Sequence, residues 1–172
     1  MITKENLREV IESLGFKPVK NKIILKKIYQ NNDKIFIEVD FLNSKITYSP
    51  IDNSFKEGEF PSRNRPSNGI IIHRNTTTNF SANENFICLI CIDNLLSKGY
   101  KPSHIILEPS IGVGHVNKPS YGDILVYNEN YERLVLIENK TYGSEFTKEW
   151  NNMQKDGGQL FSYVAALGKC DW

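Results

Sequence analysis

The sequence predicts an α/β fold: a central mixed sheet flanked by helices, preceded by a small N-terminal α+β segment. Three observations carry the prediction. Apolar residues recur at helical spacing in "ENLREVIESLG" and run nearly all round "NENFICLICIDNLL". Short apolar segments separated by Asn, Ser and Gly turns fill residues 22–49 and 104–140. From residue 82 the expected order is helix, strand, strand, strand, helix.

The elements follow in order. Leu7, Val10, Ile11 and Leu14 lie on one face of a first helix that Gly15 can close. "KIILKKIY", "KIFIEVDF" and "KITYS" read as an antiparallel meander, with "QNND" and "LNS" as turns. Lys17, Lys20, Lys22, Lys26 and Lys27 crowd its start; such a run is ordinarily a solvated face, and the alternative is phosphate contact. Residues 50–68 are rich in Pro, Ser and Asn and read as a linker or long loop, with "GIIIH" a short strand after it. The expected division is a small segment over 1–60, a connecting stretch over 61–80 and a core over 81–172. The helix over 82–97 is apolar on most sides and should be buried. "HIILE" is a strand, "YGDILVYNENYERLVLIENKTYG" a buried hairpin, and "SEFTKEWNNMQKD" a helix broken at Gly157-Gly158 before "QLFSYVAAL".

Composition narrows the class. The 172 residues are 40% hydrophobic and 24% charged, as in ordinary globular chains. No apolar run is long enough to span a membrane and no signal-type segment opens the chain, so a cytoplasmic location is expected. Three cysteines argue against a disulfide framework. The C-x-x-C of Cys88 and Cys91 reads as two small apolar residues on a buried helix, because His104 and His115 do not supply the spacing of a zinc site. Residues 1–80 carry 13 Lys and Arg against 9 Asp and Glu, while residues 81–172 carry 8 against 11. That asymmetry suits a cation site beside a polyanion-binding surface. The chain closes on "GKCDW" directly after an apolar helix, as a fragment of a longer protein would.

The chemistry is concentrated in the hairpin. Alternation along a strand puts Glu138 and Lys140 on one face, with Leu134 and Leu136. A turn at "NENYE" returns Asp123 to the same end, so two carboxylates and an ammonium converge at a sheet edge. Such a cluster is either a plain ion-pair network or a hard-cation site. Mg²⁺ prefers carboxylate oxygens and is often completed by water and substrate phosphate. A lysine beside it can orient water or stabilise charge developing on a phosphate.

"GD" opening a strand, 14 residues between the acids, and "IENK" after an apolar strand resemble the D…E-x-K core of the PD-(D/E)XK nuclease superfamily. The helix bearing Glu84 ahead of the strands, and the Q-x-x-x-Y spacing of Gln159 and Tyr163, resemble the same superfamily, as in RecB-type nucleases and type I restriction motor subunits. Over residues 80–165 the chain is similar to the N-terminal nuclease region of restriction–modification proteins, some of which continue into an N-6 adenine DNA methyltransferase. The family's proline before the aspartate is Gly122 here.

The resemblance implies a restriction-endonuclease-like core in α-β-β-β-α order and Mg²⁺-dependent cleavage of double-stranded DNA, with Mn²⁺ as a substitute. It implies Asp123 and Glu138 as catalytic metal ligands, completed by the backbone carbonyl of Asn139 and by Glu84, and Lys140 as the catalytic lysine. Gln159, Tyr163 and Lys118 would bind or position substrate. Further modules for methylation, specificity or translocation would be partners, and no membrane would be involved. A repair or recombination nuclease of the same superfamily, and an inactive module that binds only DNA or a partner, are the alternatives. Glu84 has a competing assignment, because Ser81-x-x-Glu84 has the spacing of a capping box. Glu108, ending the first core strand, could support the site without touching substrate.

Overall fold

The computed structural model describes residues 2–19, 22–112 and 119–167. Helix α1, Leu7–Ser13, is followed by an antiparallel meander of β1 (Lys17–Val19), β2 (Ile24–Tyr29), β3 (Asn32–Asp40) and β4 (Lys45–Ser49). Then come β5 (Ile71–Ile72), α2 (Asn83–Ser97), β6 (Ile105–Leu107), β7 (Ser110–Ile111) and β8 (Ser120–Tyr121). The chain continues through β9 (Ile124–Tyr127), β10 (Arg133–Ile137), α3 (Ser144–Asp156) and α4 (Gly158–Leu167). A second sheet has the order β10-β9-β6-β5 and is mixed: β5 runs parallel to β6, and the other pairs are antiparallel. The fold is therefore a mixed α/β one, and β7 with β8 forms a separate two-stranded ribbon.

Period-2 alternation decides which core each strand feeds. In β6 and β9, Ile105, Leu107, Ile124 and Val126 face one apolar cluster, with Phe86, Leu89, Ile92 and Leu96 of α2. Ile106, Leu125 and Tyr127 face the opposite cluster, with Tyr163 and Leu167 of α4. All four residues of β9 are buried for this reason, since helices cover both faces of the strand. β10 differs from the buried hairpin the sequence predicts. It is the edge strand, carries a bulge between Arg133 and Val135, and leaves Leu134 39% and Val135 40% exposed.

The N-terminal meander shares the α2 core. Leu7 and Ile11 of α1, Leu25, Ile37, Val39, Ile46 and Tyr48 join the same cluster as α2, β6 and β9. That cluster runs across the boundaries expected at residues 60 and 80, and the stretch between them contributes β5 to the second sheet. A buried ion pair fastens the two parts. Lys27 Nζ lies 2.6 Å from Asp93 Oδ1, with the carboxylate side chain only 3% exposed, and the Tyr29 hydroxyl donates to the same oxygen at 2.6 Å. Lys27 is thus no member of a solvated lysine face. Its Nζ also donates to the Ser97 hydroxyl at the end of α2, at 3.2 Å.

The Pro, Ser and Asn-rich stretch after β4 is pinned as well. Asp52 accepts from the backbone N–H groups of Ser54 (2.9 Å) and Asn68 (2.8 Å), so its two ends are tied to one carboxylate. At the other end of the chain, Gly157 turns left-handed at φ +86° between α3 and α4. A Cβ there would come within 2.6 Å of the Phe161 Cβ, so a side chain is excluded on two counts.

Candidate active site at the sheet edge

The β9–β10 register places Ile124 opposite Ile137, which leaves Asp123 and Glu138 flanking the same end of the sheet. The backbone N–H of Asn139 donates a short hydrogen bond to Asp123 Oδ2. Glu138 is followed around the strand end by Lys140, whose Nζ is 2.5 Å from Glu138 Oε1. The Glu138 side chain is only 7% exposed, and its Oε2 is buried without a hydrogen-bond partner. The convergence expected from strand alternation is present: Asp123, Glu138, Asn139 and Lys140 stand together.

Electrostatics reflect this crowding. Burial pushes the Asp123 carboxyl up, against the Asn139 N–H and the Lys140 charge, while Glu84 and Glu108 push it further up. Burial also raises Glu138, to about 7, opposed by Lys140 and reinforced by Asp123 and Glu149. Burial opposes the charge of Lys140, yet the hydrogen bond to Glu138 and the surrounding acids outweigh it and raise its pKa, so the ammonium form is held. Glu84 acts on both Asp123 and Lys140 from the first turn of α2. It does not close a capping box. The helix is capped by Ala82 in extended conformation with no side-chain cap, and the N–H of Ser81 is engaged by Asn79 Oδ1 at 2.8 Å. The capping assignment fails because the polypeptide enters α2 one residue later than the sequence spacing requires.

Gln159 and Tyr163 are one turn apart on α4 and bonded to each other through Nε2 and the phenol oxygen. Tyr163 is buried, and its hydroxyl donates to the Tyr121 carbonyl at 3.0 Å, two residues before Asp123. The tyrosine therefore anchors the end of β8, two residues ahead of Asp123. The backbone N–H of Gln159 donates to Glu149 Oε1 at 2.7 Å. Lys118 and His115 lie outside the described residues.

Gly122 could not be replaced by proline, for a visible reason. Its N–H donates to the Pro109 carbonyl at 3.2 Å, which proline could not do. Even a Cβ there would stand 3.1 Å from Leu136 Cδ1.

Glu108, considered above as a supporting acid, and the two cysteines have contacts that residue types alone do not give. Glu108 is buried in a left-handed conformation at φ +49°, and its N–H donates to the Asp123 carbonyl at 2.9 Å. Its carboxylate is held by the Thr77 N–H at 2.7 Å. Cys88 and Cys91 are more than apolar filler. The Asn139 amide donates to Cys88 Sγ at 3.0 Å, and the Cys91 thiol donates to Asn139 Oδ1 at 3.2 Å. Burial first, then the Asp123 charge, pushes both thiols up, so they stay protonated and serve as weak hydrogen-bond partners. This clamp fixes the side chain of the residue whose N–H holds Asp123. Asn139→Ala should cost about 1–2 kcal/mol in urea unfolding, the worth of two weak buried bonds. A cost indistinguishable from zero would show that the thiols do not hold the amide.

No protein-family model, curated protein or solved structure matches the chain.

Proposed function

We propose that the chain is a Mg²⁺-dependent deoxyribonuclease domain that hydrolyses phosphodiester bonds. The observation that carries this reading is the gathering of Asp123, Glu138 and Lys140 at one sheet edge, where Glu138 Oε2 is buried without a hydrogen-bond partner. An unpaired buried carboxylate oxygen is costly, and a cation is the partner its chemistry fits best. Among the described residues, no three His, Cys, Asp or Glu side chains converge into a preformed metal cage. Mg²⁺ does not require one, since it commonly takes one or two carboxylates with water and substrate phosphate. Asp123 and Glu138 would hold it, with the Asn139 carbonyl and Glu84 completing the protein's share, and Mn²⁺ would fit the same oxygens. When bound, such an ion polarises a phosphoryl oxygen and lowers the pKa of a water.

The chain's own residues do the rest. Lys140 brings a fixed positive charge to the edge where a phosphate would lie, and it can orient a water or offset charge growing on a non-bridging oxygen. The Asn139 N–H keeps Asp123 from rotating away. Tyr163 and Gln159 hold the end of β8, and Lys118 would add a phosphate contact. The order α2, β6, β9, β10, α3 around this cluster agrees with a restriction-endonuclease-like core. The same resemblance favours a restriction–modification setting, with methylation, specificity or motor modules as partners. Among the described residues no helix is long and apolar enough to cross a membrane.

Plasmid nicking with Mg²⁺, Mn²⁺ and EDTA tests the reading: relaxed circles should appear with either metal and not with EDTA. One observation favours a second, non-enzymatic reading. Lys140 and Glu138 satisfy each other directly, as a purely structural ion pair would. A chain that binds DNA but never nicks it, with either metal, would establish that alternative.

The Glu138 shift gives a further expected result. Its carboxyl is raised from 4.5 to about 7, so the folded chain holds this proton more tightly than the unfolded one. That stabilising contribution is full below the ordinary value of 4.5 and is lost as pH rises through about 7. Mg²⁺ competes with the proton. The rise in Tm produced by Mg²⁺ should therefore be larger at pH 8 than at pH 6. Equal rises at both pH values would remove Glu138 from the ligand set.

A further inference from the structure

We infer that the site takes an unpaired base of the strand being cut, so that its preferred substrate is single-stranded or frayed DNA rather than an intact duplex. The inference rests on the nuclease reading and deepens it. A pocket of about 260 Å³ opens directly beside the acid–lysine cluster, with Glu138, Asn139 and Lys140 forming one wall. Its lining also includes Phe146, Trp150 and Met153 of α3, with Leu160 of α4. Phe146 and Trp150 are one helical turn apart, their ring centroids 6.1 Å apart and their planes within 15°. They are 45% and 48% exposed, and both line the same pocket as Glu138 and Lys140.

Three features point to a base. The volume lies below the 300–1,000 Å³ usual for drug-sized ligands and cofactors, so the pocket suits one ring system. Aromatic faces beside a phosphate-directed site are how proteins hold unpaired bases, because every base offers a π-face. Charge bears on the orientation. Glu149 of α3 lines the pocket and repels phosphate, while Lys140 and a cation held by Asp123 and Glu138 would attract it. A nucleotide would therefore enter base first, with its phosphate left beside Lys140. In a duplex both faces of each base are already stacked, so a paired strand cannot fill the pocket without opening.

The test uses the full chain carrying Trp172→Phe, which leaves Trp150 as the only one of the two tryptophans. Its emission is followed while a short single-stranded oligonucleotide, or a blunt hairpin duplex, is added in Ca²⁺ without Mg²⁺. The single strand should quench Trp150 and the duplex should not. Trp150→Ala should weaken single-strand binding about tenfold, and Trp150→Phe should restore most of it. Cleavage in Mg²⁺ is measured on both substrates in parallel. Quenching without cleavage would keep the base pocket and overturn the nuclease reading. Cleavage without quenching would do the reverse, and would mark the aromatic pair as cover for another polypeptide segment. Equal quenching by duplex, or a Trp150→Ala chain that binds single strands as the parent does, would overturn the pocket.

Discussion

Lys140→Ala is expected to lower cleavage by roughly 10²–10³-fold, the usual cost of removing one charge-stabilising donor, while Mg²⁺ binding persists. The lysine is no ligand for a hard cation. Its removal frees Glu138 Oε1, which it now engages at 2.5 Å. Glu138→Ala should behave differently and abolish metal binding and cleavage together, because it removes the buried carboxylate around which the site is built. Calorimetric titration with Mg²⁺ beside a nicking assay separates the two variants. Equal loss of metal from both would mean that Lys140 holds the site together rather than serving the chemistry.

Asp93→Ala should be the most damaging single change to stability away from the site. It strips the buried partner from Lys27 and the acceptor from the Tyr29 hydroxyl at once. Breaking one side of a buried ion pair costs about 3–5 kcal/mol. In a domain of this size that corresponds to a fall in Tm of roughly 6–20 °C. Adding Lys27→Met to Asp93→Ala should recover part of the loss, since the uncompensated charge is then removed as well. Calorimetry on the single and double variants decides the matter. A single variant that melts within a degree of the parent would show that water, and not Asp93, satisfies Lys27.

These two outcomes probe different links between sequence and structure. The D…E-x-K spacing and the strand alternation around it place Glu138, Lys140 and Asp123 at one end of a hairpin, and the observed register does so through local geometry alone. The helix over 82–97, the break at Gly157 and the meander over 22–49 were legible for the same reason: each is encoded by periodicity or by a turn residue within a few positions. The capping box at Ser81 was misleading because its spacing fits a helix start that the chain, entering through extended Ala82, does not use.

The remaining features lie in pairings between residues far apart in sequence, which no local pattern carries. The C-x-x-C motif looks like apolar filler until Asn139, 48 residues beyond Cys91, arrives between the thiols. Lys27 looks solvated until Asp93, 66 residues away, is buried against it. The exposure of Phe146 and Trp150 follows from α3 packing on α4, which leaves both rings open among the described residues. What the sequence by itself determined was most of the secondary elements and the gathering of two carboxylates and a lysine at one strand end. What only the tertiary structure decided was which polar groups are satisfied, because hydrogen-bond satisfaction and burial depend on what packs from elsewhere in the chain.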